Sequence, residues 1–126
     1  MEIKTSRQEE LRFGLQMDKS PDKHRMIQLV FENHCKRVVD LGAGTGIVAK
    51  KISELGIRAD AVDINFKCDS YSNTERLTYY PTDLVNFAEK TENRYDCIIL
   101  SAVLHELSPR ERRRLQKGLK RIADPT

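Results

Sequence analysis

Cysteine is scarce in this sequence. The three residues, Cys35, Cys68 and Cys97, are odd in number, widely spaced and free of any C-x-x-C pair. That argues against a disulfide framework or a cysteine-ligated zinc site, and reads as reduced thiols in a cytoplasmic protein. Long apolar runs are lacking as well. The longest, CIILSAVL, is far too short to span a bilayer, and the opening MEIKTSRQEELRFG carries charge where a signal peptide needs an apolar block. No internal repeat or low-complexity tract interrupts the chain. Neither charge sign dominates: a net charge of +3 and a pI near 8.8 permit an anionic partner without demanding one. What remains is 126 residues, 39% hydrophobic and 33% charged, enough to bury one core and too apolar for disorder. These exclusions leave a soluble cytoplasmic protein with no membrane partner.

Residues 1–35 read as an N-terminal helical segment. Ser6 and Glu9 have capping-box spacing ahead of Leu11, Leu15 and Met17, with Gly14 interrupting the pattern. In SPDKHRMIQLVFENHC, Ser20 suits an N-cap and Pro21 the first helical position, with Met26, Ile27, Val30 and Phe31 forming a stripe. From residue 36 to 126 the pattern changes to strands alternating with helices. RVVDL, RADAVDI, LTYYPTD and YDCIILS read as strands, the third at a sheet edge where Pro81 is tolerated. GIVAKKISEL, closed by Gly56, and LVNFAEK read as helices, and the last helix opens with the capping box Ser108–Glu111 and Pro109. This order predicts an α/β fold: a doubly wound, mostly parallel sheet with right-handed crossovers.

Such a sheet binds ligands beyond the carboxyl ends of its strands. The first strand delivers DLGAGTG there, and Gly42, Gly44 and Gly46 allow backbone to lie against a ligand, with a helix N-terminus behind them. A dinucleotide fingerprint needs a third glycine where this chain has Ile47, and a P-loop needs a lysine that is lacking before Lys50. The turn is instead acidic-x-G-x-G-x-G. VVDLGAGTG resembles the first motif of the class I S-adenosylmethionine-dependent methyltransferases, which implies a Rossmann-like core with S-adenosylmethionine across the strand ends.

The resemblance assigns further positions as the cofactor site. Asp40 faces the amino end of the methionine, and Gly42, Ala43 and Gly44 form the turn. Asp63, in AVDIN, accepts from the ribose hydroxyls through charge-assisted bonds worth about 1.5–3 kcal/mol each. Ile64 packs on the adenine face, Asp83 sits near the adenine amino group with Leu84 packing beside it, and Ser101 lies beside the methionine part. Plainer readings stand next to these. Asp83 or Thr82 also suits a helix N-cap, and Ile64 and Leu84 also suit the core. His105, in the LHEL turn, is the candidate catalytic base where the acceptor must lose a proton, the alternative being a helix-turn histidine.

The implied function is S-adenosylmethionine-dependent methyl transfer to an unidentified acceptor. The alternative is a non-catalytic S-adenosylmethionine-binding or partner-activating module, and an NAD-linked oxidoreductase is disfavoured by Ile47. SAVL stands where methyltransferases acting on exocyclic amines of DNA bases often carry Asn/Asp-Pro-Pro-Tyr/Phe, so the acceptor leans towards a small molecule. The basic last helix, RERRRLQKGLKR, offers contact with nucleic-acid phosphates, against the plainer reading of a solvated face. The family core usually continues beyond the equivalent of ADPT, so the resemblance implies a truncated core with an uncovered fourth strand. Self-association or a partner chain would complete the sheet.

Overall fold

The computed structural model describes residues 21–66, 72–100 and 106–123. Helix α1 (Pro21–Glu32) begins at its proline, whose missing N–H falls where a helix has no internal acceptor to meet. It ends in a way the sequence does not announce. His34 adopts a left-handed φ of 54°, its amide donating to the Phe31 carbonyl at 3.1 Å and that of Cys35 to Val30 at 3.3 Å. That is the Schellman closure, with histidine in the place usually taken by glycine.

Strand β1 (Arg37–Leu41) is followed by α2 (Ile47–Glu54), β2 (Arg58–Val62) and β3 (Leu77–Tyr80). Helix α3 (Leu84–Lys90), β4 (Cys97–Leu100) and α4 (Pro109–Ile122) complete the described elements. Gly56, at φ 87°, closes α2 with the same motif as His34: its amide donates to Ser53 at 3.0 Å and that of Ile57 to Ile52 at 3.4 Å. Helix α4 opens with the expected capping box, Ser108 and Glu111 exchanging bonds of 3.0 and 3.1 Å.

The four strands form one parallel sheet in the order β3-β2-β1-β4. The doubly wound Rossmann-like core is therefore present, with β3 at one edge, ending just before Pro81, and β4 at the other. Strand order reverses beside β1, which puts the ligand crevice of this topology at the carboxyl ends of the central strands.

Each face of the sheet has its own apolar cluster, because successive strand residues point to opposite sides. One unites Val38, Ala59, Ala61 and Tyr79 with Ile27 and Val30 of α1 and with Val48 and Ile52 of α2. The other unites Val39, Leu41 and Val62 with Val85 and Phe87 of α3 and with Leu115 and Ile122 of α4. Helices α3 and α4 cross very closely. A Cβ on Gly118 would stand 2.8 Å from the Ala88 methyl carbon and 2.9 Å from its carbonyl oxygen, so the crossing has no room for any larger residue. Arg114 adds a bidentate pair to Glu89. The end of α4 is fastened to the chain before β4, the Tyr95 amide donating to the Ile122 carbonyl at 2.8 Å. Among the described residues, no helix is long and apolar enough to cross a membrane.

Candidate functional site

The glycine turn is tied to the ends of its neighbours. The amides of Gly42 and Ala43 both donate to the Val62 carbonyl, at 2.8 and 3.0 Å, which folds the exit of β1 over the end of β2. Asp63 lies immediately past β2, and its amide donates to the Tyr80 carbonyl of β3 at 3.2 Å. Its carboxylate reaches back to the turn: Oδ2 accepts from the Gly44 amide at 2.7 Å, and Oδ1 accepts from the Asn65 amide at 2.9 Å. Three strand ends thus meet around one half-buried carboxylate.

The three glycines of the turn divide their tasks. All have positive φ, at 81°, 63° and 80° for Gly42, Gly44 and Gly46. Gly46 is buried, and a Cβ there would stand 2.7 Å from Cε1 of Tyr79. A tyrosine ring occupies the place a side chain would take there, so packing by itself already demands glycine at this position. Gly44 is the opposite case: a Cβ there would meet nothing within 4 Å. The space over Gly44 is open, beside the Asp63 carboxylate.

The remaining expected residues are distributed around this point. Asp40 is buried, 1% exposed, one residue before the end of β1. Ile64 follows Asp63 and is 72% exposed. Ala43 packs partly against the α1–α2 cluster. Asp83 is the N-cap of α3, its Oδ2 accepting from the Asn86 amide at 2.9 Å, and Leu84 is buried in the α3–α4 cluster. The capping reading of Asp83 thus describes at least one of its oxygens, and the core reading describes Leu84. Ser101 and His105 lie outside the described residues.

A second polar centre escaped the sequence reading. Asp60, 2% exposed in the middle of β2, accepts from the Tyr95 hydroxyl at 2.5 Å and lies 3.7 Å from the Arg37 guanidinium. Arg37 also stacks 5.3 Å from the Tyr95 ring centroid, and Asn93 donates to the Tyr95 hydroxyl at 3.4 Å. Burial first, and the Asp60 carboxylate second, push the Tyr95 phenol far above its ordinary range. The sequence signal was an acid inside the apolar strand RADAV, but its partners stand 23 residues before and 35 after it. The centre involves the first residue of β1, at the end of the sheet opposite the glycine turn.

Elsewhere, a groove of about 620 Å³ runs between α1 and the outer edge of β4, lined by Met26, Leu29, Val30, Cys35, Cys97 and Leu100 among others. Burial raises both thiols, that of Cys97 to about 12, so neither is a ready nucleophile or metal ligand. Among the described residues, no group of three or more His, Cys, Asp or Glu could hold a metal ion.

The sequence model of the family described as "Methyltransferase domain" matches residues 11–122. No curated protein matches the chain by sequence. Among solved structures, TehB from Haemophilus influenzae aligns with a TM-score of 0.70 at 19% identity, over 91% of this chain and 42% of that one. Magnesium protoporphyrin IX methyltransferase from Synechocystis PCC 6803, with S-adenosylmethionine bound, aligns at 0.65 and 18% identity, over 98% and 61%. Human N-acetylserotonin methyltransferase, also solved with S-adenosylmethionine, aligns at 0.64 and 24% identity, over 95% and 36%. At these identities the likeness is one of fold, and the chain spans less than two thirds of each structure.

Proposed function

The chain belongs to the methyltransferase-domain family, within the class I S-adenosylmethionine-dependent methyltransferases, and we propose that it binds S-adenosylmethionine over the glycine turn and delivers its methyl group to an acceptor. One observation carries the proposal. The Asp63 carboxylate is held between the Gly44 and Asn65 amides, at the edge of open space over a left-handed glycine.

The donor set fits the cofactor. A carboxylate oxygen has two acceptor sites, and each oxygen of Asp63 has one amide in the described contacts. Acceptor capacity is left over for a ribose diol. Ile64, standing in solvent beside Asp63, gains from being covered by a planar base, at roughly 25 cal/mol for each Å² removed from water. Gly44 supplies backbone without obstruction, with Gly42 and Ala43 leading into it, and Asp40, buried one residue before the end of β1, is the acid that the resemblance sets towards the ammonium group. Asp83 and Leu84, at the start of α3, stand where a second base contact is expected; Ser101 and His105 keep the roles that the resemblance assigns.

When bound, S-adenosylmethionine supplies a methyl group activated on a sulfonium. The chain's own part is to align and enclose. Holding an acceptor in line with that methyl contributes up to about 7–11 kcal/mol in well-oriented cases, so a base is needed only for an acceptor that must lose a proton. A small-molecule acceptor remains the favoured class.

Calorimetry with S-adenosylmethionine and S-adenosylhomocysteine tests the proposal. Both bind the folded wild type, and Asp63→Ala weakens both at least tenfold through the loss of charge-assisted bonds. Folded wild type that binds neither overturns it. Transfer of tritiated methyl to a cell extract then separates an enzyme from a binding module: label in a product supports catalysis, and binding without any labelled product leaves the module.

A further inference from the structure

Helix α4 concentrates positive charge. It holds seven of the chain's 22 lysines and arginines and one of its 19 acidic residues, so the remainder, with 15 basic against 18 acidic, is net negative. The apolar stripe of α4 is already used: Leu115, Gly118 and Ile122 are buried against α3 and the sheet. Three of the seven cations have partners. Arg114 is held by Glu89 and Asn86, Arg121 donates to the Ala88 carbonyl at 2.7 Å, and Arg112 is also engaged. The other four, Arg110, Arg113, Lys117 and Lys120, are exposed, and their side chains make no hydrogen bond or ion pair among the described residues.

These four are spaced by three, four and three residues, which places them in one row on one face. At 1.5 Å per residue the row is about 15 Å long. Capping box, Gly118 contact and Tyr95–Ile122 bond fix the helix at its start, middle and end, so the row is a rigid platform. It begins on the side of the strand carboxyl ends and runs towards their amino ends. We propose that this row is a docking surface for the phosphodiester backbone of a single-stranded nucleic acid.

The chemistry favours that partner over other anions. A membrane-surface helix needs apolar side chains to insert, but the only exposed large hydrophobic residues among those described are Leu29 and Ile64, both outside α4. A protein interface draws its energy from buried aromatic and apolar anchors, and α4 contains no aromatic residue. What α4 offers is regularly spaced charge, two of the four groups being guanidinium forks suited to phosphate oxygens. A flexible single strand can adapt its phosphates to a straight row. With no aromatic ring to stack a base, binding is blind to base sequence and strongly salt-dependent. The inference does not depend on methyl transfer, and its test needs no cofactor.

The test is fluorescence anisotropy with a labelled 20-residue oligouridylate at 50 and 200 mM salt. Neutralising four phosphates gives a slope of log K against log[salt] near −3, and a weakening of roughly 50-fold between the two conditions. Arg110→Gln and Lys117→Gln each flatten the slope by about 0.7, and the quadruple Gln variant binds at least tenfold more weakly with its circular dichroism unchanged. Oligothymidylate binds as well as oligouridylate, because the row reads phosphate alone. No binding at 50 mM salt overturns the proposal, as does undiminished binding by a folded quadruple variant. Equal or tighter binding to polyglutamate or to phosphatidylserine vesicles also overturns it.

Discussion

Asp60 and Asp63 stand three residues apart, the first in the middle of β2 and tied towards the amino end of the sheet, the second just past its carboxyl end. Asp60 is sealed in, with a tyrosine hydroxyl and a guanidinium as partners from distant segments. Asp63 is half-buried, held by the backbone amides of Gly44 and Asn65, and borders open space. The amino end of the sheet is thus consolidated by side chains that satisfy one another. The carboxyl end is consolidated by backbone, which leaves its carboxylate with capacity for something else. On the proposed function, stability and ligand binding would then be assigned to different ends.

The largest effect that would sharpen this division is Tyr95→Phe. Removing the hydroxyl leaves Asp60 with Arg37 at 3.7 Å and no strong donor from position 95, at a cost of about 2–3 kcal/mol in urea denaturation. Cofactor affinity of the folded variant stays at the wild-type value; a parallel loss of affinity would break the division. Alkaline pH gives a related readout. The Tyr95 phenol is raised in the folded state, so its stabilising contribution is intact below the unfolded value near 10 and lost as pH climbs towards the folded one. Stability then falls by roughly 1.4 kcal/mol per pH unit beyond 10, and Tyr95→Phe removes that increment.

Gly44→Ala probes the other end. A Cβ meets nothing there, so the penalty is confined to the left-handed φ, about 1 kcal/mol, whereas S-adenosylmethionine affinity falls at least tenfold. A large stability loss with intact binding would reverse the reading of this turn. The smallest effect is a gain. His34→Gly relieves a left-handed non-glycine residue but makes the unfolded chain freer, for a net stabilisation of about 0.5 kcal/mol in the same denaturation assay and no change in binding.

Element order and the crevice end were legible because they are written locally. Strand runs, helix stripes, the Ser108–Glu111 box and the DLGAGTG turn each occupy a short window. The acid after β2 was legible for the same reason. Contacts that join distant windows were not. Gly46 needs its missing side chain because of Tyr79, 33 positions later, so from sequence it looked identical to Gly44. Asp60 looked like an ordinary strand residue because Tyr95 and Arg37 lie on other strands or their approaches. His34 hides a helix stop, because a left-handed closure is ordinarily written as glycine. Asp83 was legible in two ways at once, because a residue that suits a helix cap also suits the rim of a crevice.

The contact of Gly118 with Ala88 has a mechanical consequence. The methyl and carbonyl of Ala88 already fill the place a side chain would take at position 118, so substituting Gly118 would force α3 and α4 apart along their whole crossing. That separation would be felt at both helix starts, the Asp83 cap of α3 and the Ser108 cap of α4.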